Sequence, residues 1–376
     1  MFLEHVHFER LLSFRDTTLA LRPLNVLIGP NGSGKSNLVE SIGLLRACAT
    51  NLRGYLDQGG RPPAWIWRGE DETAQSALAE FRIRPDELTL THKLKFSAPE
   101  SQFQIDEEDM RDSDGRPWLH RSAGKATLGY PFSVRGPVGL SDDQSLLAQF
   151  RSPADPRRLT DLASRVESIR IYRDFNTSKH GSIRQGLGSG VDPQLAEDGS
   201  TLALALHELW VKDGLTNVDR FLTDFAPQYR GVKPHQVRSV WTLRLHEEGL
   251  LDATPSPRIS DGTLRFLCLL AIILDPDPPP LVCLEEPETG LHPDAVRIVA
   301  QALVEASSRM QLVVTTHSPA LIANLGGQNV ESVIVCEKDT DQATTFERLN
   351  REDLGEWLNE YSLGELWLRG QIGGNP

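Results

Sequence analysis

The sequence is poor in cysteine, has no long apolar run, and lacks the basic excess of a protein that coats nucleic acid by charge alone. Four cysteines, Cys48, Cys268, Cys283 and Cys336, are spread through 376 residues, three of them inside apolar segments. Such separation fits neither a zinc site nor a disulfide framework, so buried free thiols and a reducing, cytoplasmic setting are expected. The longest apolar run, Phe266–Leu274, falls far short of the roughly 18–20 residues that cross a bilayer, and no membrane partner is expected. Glu4, His5, His7, Glu9 and Arg10 interrupt the first segment, which reads as a strand and not as a signal peptide. No internal repeat is seen, and heptads are not sustained across the long stretch between residue 30 and the later core strands near residue 281, which excludes long coiled-coil arms there.

Charge is unbalanced the other way. With 39 Lys and Arg against 52 Asp and Glu the formal net charge is −13, which argues against a purely electrostatic nucleic-acid coat. The distribution is uneven. Residues 100–114 hold seven acids and one arginine, whereas residues 115–140 hold no acid but carry Arg116, Arg121, Lys125 and Arg135. Residues 151–190 hold eight Lys and Arg against four acids. A run of this kind is ordinarily a solvated face; its sharper reading is a docking surface for DNA or an acidic partner.

Apolar residues make up 39% of the chain, ample for one large domain or two ordinary ones. Strands are expected over the first fifteen residues, Thr17–Leu21 and Asn25–Ile28, then a helix from Lys35 to Cys48. Ala77–Ile83 and Leu88–Phe96 alternate like a hairpin broken at Arg84-Pro85-Asp86-Glu87, and short strands and loops are expected over 106–137. Leu159–Arg170, Ser200–Val211 and Asn217–Phe225 have helical spacing, and Val237–Leu245 alternates like a strand. A helix is expected after Ile259. Strand–helix–strand patterns then run through Leu281–Glu285, Asp294–Ala306 and Leu312–Thr316, with a strand at Ser332–Cys336 and a helix near Glu352–Glu360. Buried strands alternating with helices indicate an α/β fold with a parallel core sheet, split by a long insertion.

Gly29-Pro30-Asn31-Gly32-Ser33-Gly34-Lys35-Ser36 matches GxxxxGK[ST] at every fixed position. The glycines let successive backbone N–H groups turn toward phosphate oxygens, and the helix that follows adds the positive end of its dipole. Lys35 is placed for the β and γ phosphates, and the Ser36 hydroxyl for Mg²⁺. Asn31, Gly32, Ser33, Gly34 and Asn37 complete the expected nucleotide contacts. Leu281-Val282-Cys283-Leu284-Glu285-Glu286 is an apolar strand ending in two acids, one suited to hold a metal and the next to polarise a water. Val313-Val314-Thr315-Thr316-His317 is a second apolar strand, ending in a histidine where a γ-phosphate sensor belongs.

With these residues, the chain resembles the ABC-type ATPases of the SMC/RecF/OLD group, and most of all the stand-alone OLD-like "AAA family ATPase" proteins without a Toprim domain. GPNGSGKSN resembles their Walker A, LVCLEEPETGLHP their Walker B and D-loop, and VVTTHSP their switch-histidine strand. The resemblance implies an ABC-type P-loop head with an antiparallel β subdomain and an inserted helical lobe. It implies ATP and Mg²⁺ as ligands, Ser36 and Glu285 at the metal, and Lys35, Glu286 and His317 in catalysis, Glu286 as the base. Thr289–His292 would form a D-loop at a dimer seam, and Arg15, in Ser13-Phe14-Arg15, would approach the phosphates. Ile259-Ser260-Asp261-Gly262-Thr263 resembles the LSGGQ signature, in which Ser260 and Gly262 would bind the nucleotide held by a second subunit.

The match departs from the family pattern at Asp261 and Thr263, at Glu285 (where the family carries Asp), and at the Q-loop, for which Gln144 and Gln149 are the candidates. Asp261, an acid beside a phosphate, must point away or accept the motif's own amides. The expected division is 1–140 and 259–376 for the two parts of the ATPase lobe and 141–258 for the inserted, largely helical lobe. The resemblance implies an ATP-dependent, head-to-tail homodimer that hydrolyses ATP in DNA repair or antiphage defence, with DNA as a candidate partner. The alternative is an ATP-driven switch on a separately encoded protein effector, a nuclease or toxin. Only 59 residues follow His317, too few for a Toprim nuclease, so any nuclease would act in trans. A transporter subunit is disfavoured by the EPETGLHP continuation and the altered signature.

Overall fold

The computed structural model describes the chain except residues 68, 70–74, 100–101, 123–124, 129–139, 152–158, 189, 191, 356 and 374–376. Arg135 and part of the basic stretch 151–190 therefore lie outside the described residues. The first strands are β1 (Leu3–Leu11), β2 (Phe14–Ala20) and β3 (Leu24–Ile28), followed by helices α1 (Lys35–Cys48) and α2 (Leu52–Gln58). Next come β4 (Ser76–Ile83), β5 (Leu90–Ser97), β6 (Gln104–Asp112), β7 (Pro117–Ser122) and β8 (Lys125–Leu128). Seven of these strands form an antiparallel sheet in the order β2-β1-β4-β5-β6-β7-β8. The expected hairpin is β4 with β5, Ala79 facing Leu94 across the ladder.

The middle of the chain holds α3 (Leu146–Gln149), α4 (Leu159–Glu167), β9 (Arg170–Tyr172), α5 (Ser182–Gln185), β10 (Leu187–Gly188), α6 (Leu202–Asp213) and α7 (Thr216–Phe225). It ends with β11 (Tyr229–Val237), β12 (Val240–Glu247) and β13 (Thr254–Pro255). Two expectations differ here. The helix read as Leu159–Arg170 stops at Glu167, and Arg170–Tyr172 leaves it as a strand. The strand read as Val237–Leu245 straddles a hairpin, since Val237 pairs with Val240 across a two-residue turn in which Arg238 has φ 56°. That turn carries no Gly, Asn or Asp, the residues that usually announce a positive φ, so the alternation runs through it unmarked. Residues 141–258 carry the helices α3 to α7 and strands beside them. They contribute β9 to the core sheet and build a four-stranded sheet, β10-β12-β11 with β13 on β12.

The last third contains α8 (Asp261–Ile273), β14 (Leu281–Glu285), α9 (Pro293–Ala306), β15 (Gln311–Thr315), α10 (Pro319–Leu325), β16 (Val333–Lys338) and β17 (Thr344–Arg348). Three short helices follow, α11 (Arg351–Leu354), α12 (Trp357–Glu360) and α13 (Leu363–Leu368). The helix expected near Glu352–Glu360 is cut in two because Gly355 takes φ 45°, ψ −123°.

The core sheet has the order β17-β16-β3-β15-β14-β9 and is parallel except for β17. Alternate residues of its strands enter two separate apolar clusters. Val26, Ile28, Val282, Leu284, Leu312 and Val314 face α8 and α9; Leu27, Leu281, Cys283 and Val313 face α1 and the antiparallel sheet. Burial on both faces is what a parallel sheet requires, and each fully buried large side chain contributes about 1.5–3 kcal/mol. Gln311 locks the start of the chain to this sheet. Its side-chain oxygen accepts from Phe2 N (3.1 Å) and Leu3 N (2.7 Å), and its amide donates to Leu3 O (2.6 Å) and Arg22 O (3.1 Å). All four cysteines are buried free thiols, and among the described residues no helix is long and apolar enough to cross a membrane.

Candidate nucleotide site

β3 delivers the chain to the carboxyl edge of the core sheet, and the loop 29–36 turns it into α1. Three positive φ angles make the turn: 146° at Gly29, 77° at Gly32 and 106° at Gly34. At Gly34 a Cβ would lie 2.1 Å from Thr344 Oγ1, so no larger residue fits. No side chain caps the N-terminus of α1, which leaves its first N–H groups for another acceptor. Ser33 Oγ is buried with no hydrogen-bond partner among the described residues. Lys35 is buried and folded back onto its own loop, donating to Gly29 O (2.7 Å) and Pro30 O (3.0 Å). Burial pulls its pKa down, with Glu286 opposing. Uncapped amides, an orphaned hydroxyl and a lysine held only by carbonyls together fit a phosphate chain. Asn31 and Gly32 are exposed at the loop tip.

The acids arrive on β14, two strands away from β3. Ser36 Oγ donates to Glu285 Oε2 at 2.8 Å. A hydroxyl and a carboxylate are the hard oxygen donors that Mg²⁺ prefers, and the remaining ligands would come from phosphates and water. Among the described residues no set of three His, Cys, Asp or Glu able to hold a metal occurs. Glu286 has φ 45°, an unfavourable backbone for a residue with a side chain, held by hydrogen bonds from its N–H to Thr315 O (2.9 Å) and Oγ1 (3.3 Å). Strain of this kind gathers where a side chain must be aimed.

His317 follows β15, and its Nε2 lies 3.9 Å from Glu286 Oε1. Burial and the Lys35 charge lower its pKa, partly offset by Glu286. Its backbone is fixed by Glu288, whose Oε1 accepts from His317 N (2.9 Å) and Thr316 Oγ1 (2.6 Å). Burial in turn raises the pKa of Glu288.

The signature segment stands elsewhere. Ser260 is exposed and caps α8, accepting from Thr263 N at 3.1 Å. A Cβ on Gly262 would come 3.0 Å from Gly290 O, so the Thr289–His292 turn packs against the helix start. Among the described residues neither Ser260 nor Gly262 bonds to the loop 29–36. Asp261 turns out to form an ion pair with Arg184, and not with the motif's own amides. Arg184 is buried and also donates to the carbonyls of Thr177 (2.8 Å), Ser256 (3.1 Å) and Ile259 (2.7 Å).

Three sequence expectations meet other neighbours. Arg15 pairs with Asp341 and, at 3.6 Å, with Asp339, in the connection between β16 and β17. The Q-loop candidates are tied up away from the acids: Gln144 accepts from Leu52 N (3.0 Å) and donates to Asn51 (2.9 Å), and Gln149 accepts from Ser141 N (2.8 Å). Asn37 reaches the loop's support, donating to Ser13 Oγ at 2.6 Å.

Residues that sequence reasoning missed complete the site. Arg173, just after β9, donates to Glu285 Oε1 (2.8 Å) and to Glu40 Oε1 (2.5 Å). Thr344 braces the loop, its Oγ1 donating to Ser33 O (2.8 Å) and meeting Ser13 Oγ (2.7 Å). Neither belongs to a recognisable motif; Glu288, by contrast, lay inside the EPETGLHP run.

The fold is that of the SMC and ABC ATPase heads. A solved Smc head bound to the C-winged helix domain of ScpA is 13% identical with TM-score 0.57, covering 94% of this chain and 99% of that one. The Smc head domain from Pyrococcus furiosus, with an extended coiled coil and bound to the C-terminal domain of ScpA, is 14% identical with TM-score 0.54, covering 96% and 99%. A third, from Pyrococcus yayanosii with a coiled coil and joint, is 12% identical with TM-score 0.50, again covering 96% and 99%. Identities this low speak to fold alone. No curated protein sequence matches the chain. A family model does, over residues 24–323, from the start of β3 through α9 and into α10. The chain belongs to the family described as "AAA domain, putative AbiEii toxin, Type IV TA system".

Proposed function

We propose that the chain binds ATP with Mg²⁺ at the loop 29–36 and hydrolyses it, two copies closing head to tail over two nucleotides. The observation that carries this is a meeting of side chains from distant segments. Ser36 and Glu285 stand 2.8 Å apart, and Glu286 and His317 3.9 Å apart, at the ends of strands beside one uncapped helix. In this reading Lys35 exchanges its two carbonyl partners for phosphate oxygens, and the free amides of α1 take the rest. Ser36 and Glu285 hold the magnesium, which neutralises charge on the transferred phosphoryl group. Glu286 orients a water and accepts its proton. His317, kept neutral by burial and Lys35, can donate a hydrogen bond to the γ-phosphate. Ser260, exposed at the start of α8, is free to face a second subunit, and Arg184 offsets the charge of Asp261 there.

Lys35→Ala is expected to abolish nucleotide binding, and Glu286→Gln to bind ATP and hold the dimer closed. Size-exclusion chromatography of Glu286→Gln with and without Mg-ATP checks this; a monomer under both conditions overturns the dimer.

The output of the cycle has two readings. A DNA-directed ATPase in repair or antiphage defence draws on the resemblance of the Walker A, Walker B and switch-histidine segments to those of the RecF and OLD proteins. A switch on a separately encoded effector draws on the matched family's description, which names a toxin of a toxin–antitoxin system, and on the pairing of basic side chains within the chain. Arg151, Arg165, Arg170, Arg173 and Arg184 each have an acidic partner. Stimulation of ATPase turnover by DNA favours the first reading, and co-purification with a neighbouring gene product the second.

A further inference from the structure

The geometry points to Arg173 as a positioning residue that competes with the divalent cation for Glu285 and so sets how much magnesium the site needs. This deepens the ATP reading and rests on it. β9 is a three-residue edge strand parallel to β14, and its register puts Tyr172 beside Leu284. The next residues on each strand are Arg173 and Glu285, side by side at the edge of the sheet where the loop 29–36 opens.

Both oxygens of Glu285 are engaged. Oε2 accepts from Ser36 on the side where a cation would be held, and Oε1 accepts from Arg173 Nε, each at 2.8 Å. The other arm of the guanidinium reaches Glu40 Oε1 at 2.5 Å, and the second oxygen of Glu40 accepts from Tyr55 OH at 2.8 Å. Arg173 thus lies between two carboxylates, one on α1 and one on β14. Its side chain is 48% exposed while that of Glu285 is 15% exposed, so the arginine is the partner with room to move.

A carboxylate that shares its charge with a guanidinium is a weaker ligand for a cation, and a divalent cation beside Ser36 repels a guanidinium on the same carboxylate. Loading the site therefore shifts Arg173 from Glu285 toward Glu40, which holds it in either state. Removing Arg173 frees Glu285 for metal. Removing the charge of Glu40 leaves Glu285 as the remaining carboxylate partner and tightens the competition. The two changes act in opposite directions on one quantity.

The test is binding of a fluorescent ATP analogue to the full chain carrying Glu286→Gln, titrated with Mg²⁺ at fixed nucleotide, with Mn²⁺ bound per chain counted by electron paramagnetic resonance. Adding Arg173→Gln lowers the magnesium midpoint about tenfold, the size expected for one charged hydrogen bond. Adding Glu40→Gln raises it, and Arg173→Lys, which keeps the charge without the two-armed reach, falls between Arg173→Gln and the parent. Unchanged midpoints in the Arg173 and Glu40 variants overturn the inference. So does Arg173→Gln weakening nucleotide binding at saturating magnesium with the midpoint unmoved, which makes Arg173 a phosphate ligand. A Glu286→Gln parent that binds no nucleotide at any magnesium concentration defeats the ATP reading itself, and the inference with it.

Discussion

His317 is held through its backbone by one acid, and its ring lies beside another. Glu288 fixes the peptide and Glu286 lies 3.9 Å from Nε2, while burial and Lys35 keep the ring neutral. Its pKa, followed by NMR, is expected below the usual 6.5. Lys35→Ala should move it up and Glu286→Gln further down. A folded-state pKa below that of the unfolded chain means that the unfolded chain binds more protons in between. His317 therefore contributes a loss of stability as pH falls from about 6.5 toward the folded value. A titration at or above 6.5 in the wild-type protein would contradict this environment. At this scale the residues that meet around the loop 29–36 were legible because they stand in short fixed patterns. Arg173 and Thr344 were not, because an arginine after a short apolar segment and a threonine in a strand carry no pattern until the chain is folded.

The α8 element shows how a helix start is prepared from outside. Ser260 caps it, the Thr289–His292 turn packs on Gly262, and Arg184 from α5 collects the carbonyls that precede it. Arg184→Ala is expected to leave nucleotide binding by the monomer intact while reducing the ATP-driven dimer of the Glu286→Gln protein, read by the same chromatography. At β15, Gln311→Leu strips two N–H groups and two carbonyls of their partner, a loss of about 3 kcal/mol from unsatisfied buried groups, measured as a lower urea midpoint. The helices flanking the parallel strands were legible from their spacing, and side-chain caps mark the starts of α8, α9 and α10. The β11–β12 turn and the three-residue β9 were not. The first lacks turn residues, and the second is too short for any periodicity.

At the scale of the whole molecule, the described part of the basic stretch 151–190 has its arginines engaged within the chain. The described arginines of 151–190 are ion-paired, and the net charge is −13. Without nucleotide, the chain is expected to bind duplex DNA no more tightly than the weak non-specific range of roughly 10⁻⁴–10⁻⁶ M at physiological salt. Fluorescence anisotropy with a labelled duplex checks this, and tight nucleotide-independent binding would count against it.

The core sheet also dictates an order of events during synthesis. β3, which ends at Ile28, is flanked by β15 and β16, which begin at Gln311 and Val333. At roughly 5–20 residues per second, the ribosome makes the loop 29–36 about a quarter of a minute to a minute before the strands that support it exist. The antiparallel hairpins can form early from local contacts, while the central strand waits, apolar and unpaired, for partners about 300 residues downstream. A nascent chain therefore cannot assemble the site step by step. The loop gains its flanking strands only when the last third has been made, and until then β3 presents both edges unpaired.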